Sequence, residues 1–141
     1  MNVPGNELTA RQLYGILKLR GDVFVVEQNS VYSDVDGRDL LPTTRHFWLG
    51  DVDSYLRVLA EPDGTYRIGR VVTAKQARGQ GLAAKLMTAA LDYVGDADSV
   101  LSAQTYVQGF YAKFGYVAKG DEYDEDGISH ITMWRRVARN R

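Results

Sequence analysis

A short run rich in β-branched residues passes through a glycine-rich turn into a helix over Val71-Val72-Thr73-Ala74-Lys75-Gln76-Ala77-Arg78-Gly79-Gln80-Gly81-Leu82-Ala83. After Gly81 the period becomes helical: Leu82, Ala83, Leu86, Met87, Ala90, Leu91 and Val94 share one face, while Lys85, Thr88 and Asp92 lie opposite. Gly95 ends the helix. The turn contains no Ser, Thr, Asp or Asn to cap this helix, so its first backbone N–H groups lack the usual side-chain acceptor. Glycines at 79 and 81 let a ligand approach the backbone closely. The helix dipole favours a phosphate or pyrophosphate at that point, and Arg78 can add charge from the side. The plainer alternative is a glycine-rich turn whose amides are capped by water.

Other phosphate motifs are tested by their spacing. Nothing matches G-x-x-x-x-G-K-[ST]. The dinucleotide fingerprint G-x-G-x-x-G meets Ala84 in its third place, and Gly79-Gln80-Gly81 follows a meander hairpin rather than opening a βαβ unit.

The surrounding pattern is mixed. Thr9 to Val26 predicts an amphipathic helix with a break at Gly21, and Asn29 to Pro42 reads as a loop carrying Asp34, Asp36 and Asp39. Strands are predicted at His46–Leu49, Ser54–Glu61 and Tyr66–Thr73, the last two joined by the turn Pro62-Asp63-Gly64. Val100–Ala103 reads as a strand, Val107–Phe114 as a short helix, and Tyr116–Lys119 with Ile128–Trp134 as strands around the hairpin signal Asp126-Gly127. The order predicts an α/β chain with a central mixed sheet. At 141 residues a single domain over 1–141 is expected. Seventeen basic against eighteen acidic residues leave a net charge of -1, with no overall field to draw the chain to nucleic acid or anionic lipid. Zero Cys excludes disulfides, thiolate nucleophiles and thiolate zinc sites. The chain shows neither an export signal nor an apolar run of membrane-spanning length, and cytoplasm fits.

Arg78-x-x-Gly81-x-Ala83 resembles the R/Q-x-x-G-x-G/A signature of the GNAT superfamily of acyl-CoA-dependent N-acyltransferases, and Phe110-Tyr111-Ala112-Lys113-Phe114-Gly115-Tyr116 resembles its later F-Y-x-x-x-G-F/Y segment. The resemblance is closer to the ElaA-type subfamily, through Leu19-Arg20-x-x-Val23-Phe24-Val25-Val26-Glu27-Gln28, Asp34-x-Asp36-Gly37, Arg45-His46, Gly69-Arg70-Val71-Val72 and Tyr123-x-Glu125-Asp126-Gly127-Ile128-x-His130-Ile131. It implies a GNAT-like fold, a central and mostly antiparallel sheet flanked by helices, with splayed fourth and fifth strands. The family's first strand falls where Met1–Glu7 holds Pro4 and Gly5, so that strand is expected to be reduced or absent.

The resemblance also assigns roles. It places Val71, Val72 and Thr73 beside the pantetheine arm and the thioester carbonyl, and Arg78, Gly79, Gln80, Gly81, Leu82 and Ala83 around the pyrophosphate. Gln104 stands where many members carry an Asn that helps hold the CoA arm. Tyr111 matches the tyrosine near the sulfur, where a phenol can hydrogen-bond to or protonate a thiolate. For the general base, Glu27 and His46 are the candidates, with His130 behind them, and Asp34, Asp36 and Asp39 are expected to attract a cationic amine. The function expected is transfer of an acyl group, acetyl above all, from acetyl-CoA directly to a primary amine of a small molecule or peptide. Neither an acyl-enzyme nor a metal, nucleic acid or membrane is expected to take part, and a homodimer is an expectation left open. The alternative is a non-catalytic acyl-CoA binding or sensing module.

Overall fold

The computed structural model describes residues 1–28, 34–125 and 127–137. Three strands form an antiparallel meander: β1 at Asn2–Pro4 pairs with β2 at Arg45–Leu49, and β2 pairs with β3 at Ser54–Ala60. The first strand is therefore present, though short. Proline at its end is tolerated because this is the sheet edge. β4, Tyr66–Thr73, completes the meander through the predicted turn, in which Asp63 accepts from the backbone N–H of Thr65 at 3.0 Å.

β5, Ser99–Gln104, lies parallel beside β4, and β8, Ile128–Arg135, runs antiparallel to β5. Two short strands, β6 at Val117–Ala118 and β7 at Tyr123–Glu125, both pair with β8. The strand order is β1-β2-β3-β4-β5-β8-β6, with β7 also on β8. The arm closing the hairpin onto Ile128 is thus β7 rather than the predicted Tyr116–Lys119 strand; of the turn dipeptide, Asp126 lies outside the described residues, as do residues 29–33 of the acidic loop.

Alternation along β3 explains the two cores. Leu56 and Val58 join Ile68, Leu86, Met87 and Ala90 beneath helix α2, Leu82–Val94, whereas Tyr55 faces Ile16, Leu19 and Val23 of the first helical segment. β3 is buried on both sides. Helix α1, Ala10–Arg20, starts at a capping box in which Thr9 Oγ1 accepts from Gln12 N–H at 3.1 Å and Gln12 Oε1 accepts from Thr9 N–H at 3.0 Å. The chain does not break at Gly21. It widens into a π-helical segment, Gly21–Glu27, with Gln28 N–H donating to Val23 O at 2.9 Å. The predicted Val107–Phe114 helix contracts to α3, Gln108–Ala112, after a tight turn at Thr105–Val107.

The feature that opens the sheet is a bulge. Tyr55 pairs with Val72 and Arg57 with Gly69, so two β3 steps face three β4 steps, and the extra residue is taken up around Arg70, whose φ is +53°. Such a bulge bends its strand and increases local twist. On its other edge β4 pairs with β5 only at Tyr66↔Ser99 and Arg67↔Val100. From there the two strands part.

Candidate active site

A cleft of about 710 Å³ occupies the gap where β4 and β5 part. Its walls are β4 from Arg67 to Thr73, β5 at Leu101, Ser102 and Gln104, the π-helical segment through Val23, Phe24 and Glu27, and α3 through Phe110 and Tyr111. A smaller hollow of about 140 Å³ at the start of α2 is lined by Gly79, Gly81 and Leu82, and it shares Thr73, Arg78, Ala83 and Phe110 with the cleft.

The start of α2 is built as the sequence suggests. Gly81 is the N-cap residue in a left-handed conformation, φ +74°, with no side-chain cap, and the first intrahelical bond runs from Lys85 N–H to Gly81 O at 3.2 Å. Gly79 has φ +83°, and a Cβ at either glycine would meet nothing within 4 Å, leaving the backbone open to a ligand. Uncapped helical amides together with the dipole suit a pyrophosphate. Arg78 is already engaged: its guanidinium binds Glu27 through two bonds of 2.7 and 2.9 Å and donates to Thr73 O at 3.1 Å. Val71, Val72, Thr73 and Gln104 also line the cleft, where the Gln104 amide donates to Gln28 at 3.3 Å.

Tyr111 lines the cleft at 8% exposure. Its hydroxyl makes no hydrogen bond with any described residue, and burial raises its pKa above the usual phenol value, so it remains an O–H donor.

The two candidate bases fare differently from expectation. His46 is fully buried and does not line the cleft. Its Nδ1 lies 2.6 Å from Tyr55 Oη and its Nε2 2.7 Å from Asp39 O, which fits a neutral ring donating from Nε2 and accepting at Nδ1. Burial depresses its pKa and reinforces the neutral state. It holds the core together and cannot face a thioester. Glu27 lines the cleft but is committed to Arg78, and that hydrogen-bonded pairing holds its carboxyl below the usual range, which makes it a poor proton acceptor.

The acidic loop is likewise neutralised rather than poised for a cation. Arg20, fully buried, donates to Asp34 at 2.9 Å and to Asp39 at 2.7 Å; Arg57 binds both Asp36 and Asp39; Arg70 pairs with Asp34 at 2.9 Å. The Arg57 hydrogen bond holds Asp36 far below the ordinary carboxylate range. Three acids face three arginines.

A site the sequence ranked lower is His130 on β8. It lines the cleft, Nδ1 lies 2.8 Å from Ile128 O, Nε2 lies 3.5 Å from Glu125, and the Tyr123 ring stacks on it at 6.0 Å. A carbonyl partner requires Nδ1 to carry the hydrogen, so Nε2 is the nitrogen that can exchange a proton, with the Glu125 carboxylate beside it. Ser102, also in the cleft, is hydrogen-bonded to Tyr123.

Comparison with known families matches residues 42–137 to the Acetyltransferase (GNAT) domain. The chain belongs to the GNAT acetyltransferase family. Escherichia coli ElaA is 40% identical over 94% of this chain and 92% of its own, and its crystal structure superposes with a TM-score of 0.89. A UPF0039 protein of Mycobacterium tuberculosis is 49% identical over 92% of this chain and 87% of its own length. The crystal structure of an acyl-CoA N-acyltransferase from Pseudomonas aeruginosa, 42% identical, covers 96% of this chain and 97% of that chain with a TM-score of 0.88. As a GNAT member the chain is an acyltransferase that draws on acyl-CoA and an amine acceptor. No helix among the described residues is long and apolar enough to cross a membrane.

Proposed function

We infer that the protein is an N-acetyltransferase that moves an acetyl group directly from acetyl-CoA to a primary amine of a small molecule or peptide. The observation that carries this reading is the cleft together with the hollow that adjoins it: from the uncapped α2 turn in the hollow, across the shared residues Thr73, Arg78, Ala83 and Phe110, the cleft is lined by the unpaired edge of β4, by Tyr111 and by His130. When bound, acetyl-CoA supplies the acyl carbon and a thiolate leaving group.

The backbone of Arg78 to Ala83 holds the pyrophosphate, and Val71, Val72 and Thr73 line the arm and face the thioester, with Gln104 beside them. His130 Nε2 takes the ammonium proton of the acceptor, and Glu125 faces the position where the ring becomes charged. The nitrogen–carbon bond then forms as the carbon–sulfur bond breaks. Tyr111 donates a hydrogen bond to the departing sulfur, and the second proton lost by the nitrogen balances the thiolate. A covalent acyl-enzyme has no support here, because Cys is absent and Ser102 bonds Tyr123 rather than a histidine.

The test is a thermal-shift comparison of acetyl-CoA, CoA, NAD and ATP, followed by thiol release over a panel of amines. Stabilisation by the two CoA species alone, with amine-dependent thiol release, is the expected result. Stabilisation without release from any amine would favour a non-catalytic acyl-CoA sensor.

A further inference from the structure

Five arginines line the cleft, and four have carboxylate partners. Arg38 pairs with Glu61 at 2.8 Å, Arg57 with Asp36 and Asp39, Arg70 with Asp34 and Asp36, and Arg78 with Glu27. Arg67 is the exception. It is half-buried in the cleft wall, and its side chain makes no ion pair, hydrogen bond or ring contact with any described residue.

Its place in the fold is specific. Arg67 holds the last paired position of β4 and β5, opposite Val100, at the apex from which the strands part. Val100 pairs in turn with Trp134, and farther along β5 Ser102 pairs with Thr132 and Gln104 with His130. Side chains two and four residues apart on a strand share a face, so Arg67 and His130 address the same floor. Arg67 lies six residues before Thr73, about 20 Å of strand from the glycine turn. The phosphates at that turn are therefore not its partner. Along β5, His130 is displaced from Arg67 by the four residue steps from Val100 to Gln104, about 13 Å.

We propose that Arg67 binds an oxyanion of the acceptor, so that this enzyme's substrates are amines bearing a carboxylate or phosphate several bonds from the reacting nitrogen. This rests on the acetyltransferase reading above. A guanidinium presents a planar fork of donors matched to such groups. The neighbouring arginines are neutralised by their own acids, so the free charge is localised at one end of the cleft. An acceptor without an anion would leave that cation without a counter-ion in the complex. An acceptor with the amine and anion on adjacent carbons is too short to meet both Arg67 and His130.

The experiment compares matched acceptors by thiol release: 6-aminohexanoate against 6-aminohexanamide, 6-aminohexyl phosphate against 6-aminohexanol, and, as the short control, glycine against glycinamide. Each is measured with the wild type, Arg67→Ala and Arg67→Lys, and acetyl-CoA-induced thermal stabilisation reports a folded cleft in each variant. The wild type is expected to favour a long anionic acceptor over its neutral twin by roughly 10- to 100-fold, chiefly in KM, the range of a charge-assisted hydrogen bond. In Arg67→Ala that ratio falls to about one, and Arg67→Lys keeps part of it; should the alanine variant fail to fold, the lysine variant and the decline of the ratio with salt carry the test. The carboxylate and phosphate pairs reveal which oxyanion the site takes.

Equal turnover of anionic and neutral twins by the wild type, or a ratio that survives Arg67→Ala, overturns the proposal. So does acetyl-CoA stabilisation with no member of the panel acetylated. Failure of the underlying reading looks different: neither stabilisation by acetyl-CoA nor thiol release with any amine.

Discussion

Two tyrosines and two histidines divide the residue-scale chemistry by burial and hydrogen bonding. Tyr55 and His46 satisfy each other inside the core, whereas Tyr111 and His130 face the cleft. Tyr111→Phe keeps the ring in its contacts with Phe110 and Tyr116 and removes only the hydroxyl. Steady-state kinetics should show kcat reduced about 10²- to 10⁴-fold, with acetyl-CoA affinity nearly unchanged; an unaltered kcat would make Tyr111 a packing residue. His130→Gln should lower kcat/KM by about 10²- to 10⁴-fold. His46→Gln should leave kcat/KM nearly unchanged and instead lower unfolding free energy by about 1–3 kcal/mol, because two buried partners lose their hydrogen bonds. Neither histidine's role is legible from residue type alone. What separates them is the strand each occupies and what the tertiary fold brings to it.

At the scale of elements, structure set by local contacts is legible in the sequence and structure set by distant contacts is not. The strand–turn–helix around Gly81, the Pro62–Gly64 hairpin and the Tyr111 helix announce themselves within a dozen residues, through glycine placement and a change of period. The first strand carries little local signal because its stability comes from β2, more than forty residues away. The π-helical segment reads as a continuing helix, and only packing shows that it turns Val23, Phe24 and Glu27 toward the cleft. The acids of the loop look like a solvated, cation-seeking cluster until Arg20, Arg57 and Arg70 arrive from three other elements. The α2 turn gives the element-scale prediction. Asn tolerates left-handed backbone better than other side chains, so Gly81→Asn should fold while placing bulk where the proposed reading puts the pyrophosphate. Calorimetric titration should show acetyl-CoA affinity down by roughly tenfold or more, about 1.4 kcal/mol, with the melting temperature of the free protein little changed.

Over the whole molecule, the buried charges set the response to pH. His46 has a folded pKa below its unfolded value near 6.5, so the unfolded chain binds the proton more readily and stability falls as pH drops below about 6.5. Asp36 and Asp39 are also depressed, and their contribution, present above an unfolded value near 3.8, is lost only in a second and more acidic window. Urea unfolding from pH 7.5 to 3 should show both phases, the first absent in His46→Gln; a flat profile to pH 4 in the wild type would contradict the assignment. Removing Arg20 alone leaves Asp34 and Asp39 short of a buried partner, and Arg20→Met should cost about 3–5 kcal/mol by the same unfolding measurement. The central claim, direct transfer within one cleft, is tested most sharply by rapid-mixing thiol release with enzyme in molar excess over acetyl-CoA. With no amine, release should be negligible and the protein's intact mass unchanged; with a competent amine, release should follow a single exponential. A burst of thiol before any amine is added, accompanied by an acetylated protein, would contradict the account.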